Sequence, residues 1–125
     1  MASHHSHELV PGTASFELLA WSADDFTGLW AAFQFARTYA RIDAFNEQRD
    51  YVRGMIGMLL TAGLVRLGEM WPSVEGLSYW SGDASSQEQR LSQYLASLTS
   101  PATPATNIWL YATEEGKRVV NDELN

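Results

Sequence analysis

The chain has 125 residues and a net charge of −7, with fifteen Asp and Glu against eight Lys and Arg and no cysteine. That length suits one domain with its own core, and 46% apolar with 18% charged residues is a globular composition, not a disordered one. Lack of cysteine excludes a disulfide framework, a thiolate nucleophile and a Cys-type zinc site; the acid surplus disfavours a phosphate backbone, which Lys and Arg must neutralise, and directs the expected partner towards basic surfaces.

Residues 1–13, "MASHHSHELVPGT", hold all three histidines and read as a tag or disordered arm, with a His-rich metal tract as the alternative. Without them the count is fourteen acids against eight bases, or −6, so the acidity belongs to the domain expected over 14–125. No apolar signal core and no run of about 20 apolar residues occurs, so a cytoplasmic location is expected.

Ser15–Trp21 reads as a short helix, with a strand as the alternative. The spacing of Phe26, Leu29, Trp30, Phe33 and Ala40 predicts a helix over 24–40, capped by Ser22 or Asp24, with Asp24 and Asp25 at its positive end. Gly28, Ala32, Phe35 and Tyr39 form a second apolar face on it, and a helix apolar all round is buried on both sides. The segment 76–98 is the expected cover; left bare, that face is an interface. A helix over 43–62 follows, capped by Asp43 and ended by Gly63, with Phe45, Val52, Met55, Ile56, Leu59 and Leu60 as its core stripe. Its far face carries Asp43, Asp50, Gly54, Gly57 and Thr61, where glycine marks close packing or the approach of a partner.

Leu64–Trp71 reads as a strand ended by Pro72, and Gly76–Gly82 as a second, short one. A Ser85/Glu88 capping box opens the next helix, with Leu91, Tyr94, Leu95 and Leu98 on its apolar face. "TSPATPATN" is a loop. In "IWLYATEEGKRVV", Ile108, Leu110 and Ala112 face one way and Trp109 and Tyr111 the other, which predicts a covered central strand. Thr113 caps a terminal helix, and Glu114 and Glu115 complement its dipole.

A helix running into "LLTAGLVRL", followed later by "WLYATEEGKR", resembles the winged-helix pattern through Leu59, Leu60, Gly63, Leu64 and Val65, then Leu110, Thr113, Glu114, Glu115 and Gly116. The resemblance implies an α+β fold, a helix-turn-helix plus a small antiparallel sheet. The 24–40 helix would be its first helix and the 43–62 helix its recognition helix. Thirty-five residues separate the strands at 64–71 and 107–112, so a strand and a helix are inserted in the wing. The chain is also similar to a group of uncharacterised bacterial proteins in "WSADDFTGLWAA", "AGLVRLGEM", "YWSGDASSQE" and "NIWLYATEEGK". Small acidic proteins of this kind often occur as immunity partners of toxins.

Outside residues 1–13 there is no histidine, and Lys117 is the only lysine. No HExxH, phosphate-binding glycine loop or dinucleotide fingerprint occurs. The expectation is therefore a non-enzymatic module with no cofactor and no metal, an immunity-type inhibitor that occludes a basic protein. Asp24, Asp25, Asp43, Glu47 and Asp50 would supply the charge, and Phe35, Tyr39 or an exposed Trp the anchor. The alternative is a winged-helix DNA-binding regulator that uses Arg49 and Arg53, one helical turn apart in a stretch, 27–62, that sums to +1. A homodimer through the apolar face is a third arrangement.

Overall fold

A computed structural model describes residues 9–71 and 78–124. Within them the order is α1 (Ala14–Asp24), β1 (Thr27–Gly28), α2 (Leu29–Thr38), α3 (Phe45–Thr61), β2 (Val65–Glu69), β3 (Ser78–Tyr79), α4 (Ala84–Ala96), β4 (Trp109–Ala112) and α5 (Glu114–Leu124). The fold is α+β. The four strands form one antiparallel sheet in the order β1-β4-β2-β3. Residues 1–8 and the start of the 76–82 strand expectation lie outside the described residues.

Thr13 caps α1, its hydroxyl accepting from the Phe16 amide at 3.3 Å. This helix carries Phe16, Leu18 and Leu19 into the core and touches α2, α3, α5 and β4. The single helix expected over 24–40 is instead two elements. α1 runs through Ser22 and Asp24, so neither caps a helix start, and Asp24 and Asp25 sit at the negative end of α1. The chain breaks because β4 recruits Thr27 and Gly28 into the sheet, opposite Leu110 and Trp109. The Leu29 amide adds a bond to the Ile108 carbonyl at 2.9 Å. A Cβ on Gly28 would lie 2.4 Å from Trp30 Nε1, so glycine lets that indole fold back over the strand. The second apolar face of α2 is core, with Ala32 and Phe35 buried, and α1 covers it in place of the expected 76–98 segment.

α3 starts at Phe45 after Ala44, and Asp43 does not cap it. Buried Gln48 reaches back to the connection before the helix, its amide donating to the Ile42 carbonyl at 2.8 Å and the Asp43 carbonyl at 3.3 Å. Gly63 at φ 74° ends the helix, with the Leu64 amide bonded to the Leu59 carbonyl, the expected left-handed stop. Gly57 lies under α4, where a Cβ would meet Glu88 Oε2 at 2.3 Å, so its close neighbour is a side chain of this same chain. The cap of α4 is Asp83 and not Ser85, because the helix begins at Ala84. The Asp83 carboxylate accepts from the Ser86 amide at 2.9 Å, which holds its pKa below the ordinary value. Gln87, buried on α4, accepts from the Leu67 amide at 3.1 Å and donates to the Gly82 carbonyl at 3.1 Å.

β4 lies between β1 and β2, with Leu110 and Ala112 buried and Trp109 and Tyr111 half-buried on the other face. Thr113 then caps α5, accepting from the Gly116 amide at 3.1 Å. Its hydroxyl also donates to the Gly63 carbonyl at 2.7 Å, and its own amide donates to the Leu64 carbonyl at 2.9 Å. Gly116 packs directly on that strand entry, where a Cβ would stand 2.2 Å from the Leu64 carbonyl oxygen.

Two outcomes follow for stability in urea titrations. Gly116→Ala costs roughly 3 kcal/mol, because the clash is with backbone that cannot move aside. Arg41, at φ 59°, is the described non-glycine residue in the left-handed region. Arg41→Gly relieves about 1–2 kcal/mol of strain against about 0.4–1 kcal/mol of added unfolded-state freedom, and leaves the protein equally or more stable.

Candidate functional site

The expected acidic residues lie on two stretches of the chain. Asp24, the last residue of α1, and Asp25, which follows it, are both exposed, just before β1. Asp43, Glu47 and Asp50 are exposed on the α2–α3 connection and the first turns of α3. Ten-residue α2, about 15 Å long, lies between the two groups along the chain.

An aromatic row lies on α1 and α2. Phe35 is buried and is no anchor by itself, a correction to the sequence reading. It forms the floor, with the Trp21 ring edge-on at 5.0 Å and the Tyr39 ring edge-on at 5.5 Å. Trp21 is 51% exposed and Tyr39 39%. Trp21 is within a helical turn of Asp24 and Asp25, and Tyr39 is four residues before Asp43, so acids stand close in sequence to both exposed rings. The sequence left open which exposed Trp would serve as an anchor, and Trp21 was not singled out because it ends a short element whose helical stripe was incomplete.

Arg49 and Arg53 are both engaged. Arg53 pairs with Asp50 at 3.5 Å. Arg49 donates to the Leu98 carbonyl and to Asn46, and lies 5.3 Å from the Phe45 ring centroid. α4 packs along α3, and the two enclose a shallow cleft of about 150 Å³ lined by Arg49, Asp50, Arg53, Ser92, Leu95 and Ala96.

The outer face of the sheet is a second aromatic surface. Trp109 has a glycine opposite it on both neighbouring strands, Gly28 and Gly68. Its indole N–H donates to Asn107, whose side chain also brackets the backbone of Met70. Phe26 meets Tyr111 edge-on at 5.0 Å, Arg66 lies over Tyr79 at 4.1 Å, and Lys117 lies over Tyr111 at 4.6 Å. The Tyr111 hydroxyl, and after it Glu114, raise the Lys117 pKa above 10.5. These cations are committed to rings within the fold.

A groove of about 330 Å³ runs between α2 and the loop before β4, lined by Trp30, Phe33, Gln34, Arg37, Gln48 and residues 101–104. Neither it nor the sheet face was expected, because each is assembled from segments distant in sequence. Among the described residues no cluster of His, Asp or Glu could hold a metal ion, and no helix is long and apolar enough to cross a membrane. No family model matches the chain, and no match is found among curated proteins or solved structures.

Because the Arg53–Asp50 pair is solvent-exposed on both sides, Arg53→Glu changes unfolding free energy by less than about 1 kcal/mol. Thermal and urea unfolding of the variant check this.

Proposed function

We propose that this chain is a non-enzymatic protein-binding module, an immunity-type inhibitor that occludes a basic partner, built on a winged-helix-like fold. The observation that carries the reading is the aromatic row: Trp21 and Tyr39 half-exposed over buried Phe35, with acids close by in sequence. Large aromatic side chains held on a rigid floor are the common anchors of protein interfaces, since they bury much area and lose little freedom on binding. Asp24, Asp25 and Asp43 would steer a basic surface to that row, and Glu47 and Asp50 extend the negative surface along α3. Arg41, also exposed and two residues from Tyr39, is the countercharge at that end.

A winged-helix DNA-binding regulator is the second reading. The order helix, strand, two helices, strand and returning strand supports it, with the last strand set between the first two. Weighing against it, α4 lies along the helix that would read DNA, Arg53 is paired with Asp50, and Glu47 and Asp50 would face the phosphates.

Affinity capture on the immobilised protein, followed by calorimetry with each purified candidate partner, tests the first reading. Trp21→Ser is expected to weaken a true partner by about 30-fold or more, the cost of a lost anchor. Asp24→Asn with Asp25→Asn is expected to slow association and flatten its salt dependence. Binding that neither variant changes overturns the assignment. Retention of labelled duplex DNA at low salt, abolished by Arg49→Glu with Arg53→Glu, would establish the second reading instead. Light scattering at two concentrations separates both from a homodimer.

A further inference from the structure

We propose that the groove between α2 and the loop before β4 binds a small planar carboxylate that also carries an N–H or O–H group. Trp30, Phe33, Gln34 and Arg37 recur at helical spacing, so one face of α2 presents an aromatic base that ends in a guanidinium. The opposite wall is the 101–104 turn, where two prolines, Pro101 and Pro104, offer ring faces and no N–H. That wall is held in place: the Thr106 amide donates to the Thr103 carbonyl at 2.8 Å, Tyr94 meets Thr106 at 3.5 Å, and Ala102 packs against the core. A volume of about 330 Å³ accommodates one or two fused rings.

Two polar groups define the chemistry. Arg37 is exposed and makes no ion pair, hydrogen bond or ring contact among the described residues, whereas Arg53, Arg90, Lys117 and Arg118 are each paired with a carboxylate. A free guanidinium beside an aromatic wall selects a planar anion, and carboxylate fits its fork. Gln48 is 5% exposed and lines the same groove. Its Nε2 is committed to the carbonyls of Ile42 and Asp43. Two acceptors fix the orientation of that amide, so the end without a hydrogen bond among the described residues is Oε1, an acceptor. The ligand must therefore bring a donor as well as a charge. This site is separate from the Trp21–Tyr39 row and does not depend on the protein-binding reading.

Indole-3-acetate, its neutral amide and its N-methyl derivative are the probes, titrated into 15N-labelled protein and followed by NMR. The acid is expected to shift the Trp30 indole N–H, the Gln48 side-chain amide and the Ala102 and Thr103 amides, and to bind at least about fivefold more tightly than the amide. N-methylation is expected to weaken binding severalfold, and Arg37→Gln to remove the preference for the acid. Arg37 makes no ion pair, hydrogen bond or ring contact among the described residues, so the variant's unliganded spectrum should match wild type outside the groove. The assignment is overturned if millimolar acid leaves these signals unmoved, if acid and amide bind alike, if N-methylation has no effect, or if Arg37→Gln keeps the preference.

Discussion

The fold hinges on one backbone junction where the end of α3, the start of β2, the end of β4 and the start of α5 meet. Gly63 stops α3 in the left-handed conformation, which frees its carbonyl to accept the Thr113 hydroxyl. The Leu64 carbonyl, one residue on, accepts the Thr113 amide and lies against the Cα of Gly116. Two glycines and one threonine thus join segments fifty residues apart with every polar group used. Each needs its own chemistry: a positive φ at 63, a hydroxyl that donates and accepts at 113, and no side chain at 116. With β2 and β4 locked side by side, β4 can take β1 on its free edge, and this pairing separates α1 from α2.

That separation shapes the surface. With α1 and α2 distinct, α1 folds across the second apolar face of α2 and leaves Trp21 and Tyr39 at the rim of the contact. The 70–108 segment returns as α4 against α3, and its last stretch as the wall facing α2. One excursion between adjacent strands therefore does two things: it covers part of the helix that a DNA reader would present, and it builds the groove at Arg37. The electrostatics follow the same division. Most cations are spent inside the fold, on carboxylates or on rings, so the acid surplus is what faces solvent; Arg37 and Arg41 are the exceptions, without an ion pair or ring contact among the described residues.

Reading the sequence located most elements and missed where some of them joined. The 43–62 helix, the Gly63 stop, the central strand at 108–112 and the Thr113 cap were legible because their signals are local: a 3.6-residue stripe, a glycine after it, alternation, a hydroxyl before two acids. The 24–40 helix was misread because Phe26 happens to fall in step with Leu29, Trp30 and Phe33. Periodicity does not reveal that Phe26 lies outside both helices, just before β1, with its ring against Tyr111 on the sheet. The caps at Asp43 and Ser85 failed because capping depends on where the helix starts to within a residue: α3 begins at Phe45 after Ala44, and α4 begins at Ala84, where Asp83 is the cap.

By itself, then, the chain's sequence determined the α+β class, the principal helices and their stops, the acidic balance and the lack of cysteine chemistry, all properties of composition and of neighbours within a few residues. Only the tertiary structure decided that β1 exists, that α1 covers α2, that Phe35 is floor while Trp21 and Tyr39 stay exposed, and that Arg37 and Gln48 share a groove. Those outcomes rest on hydrogen bonds and contacts between residues tens of positions apart. Their free energy belongs to the pair and leaves no mark on either local segment.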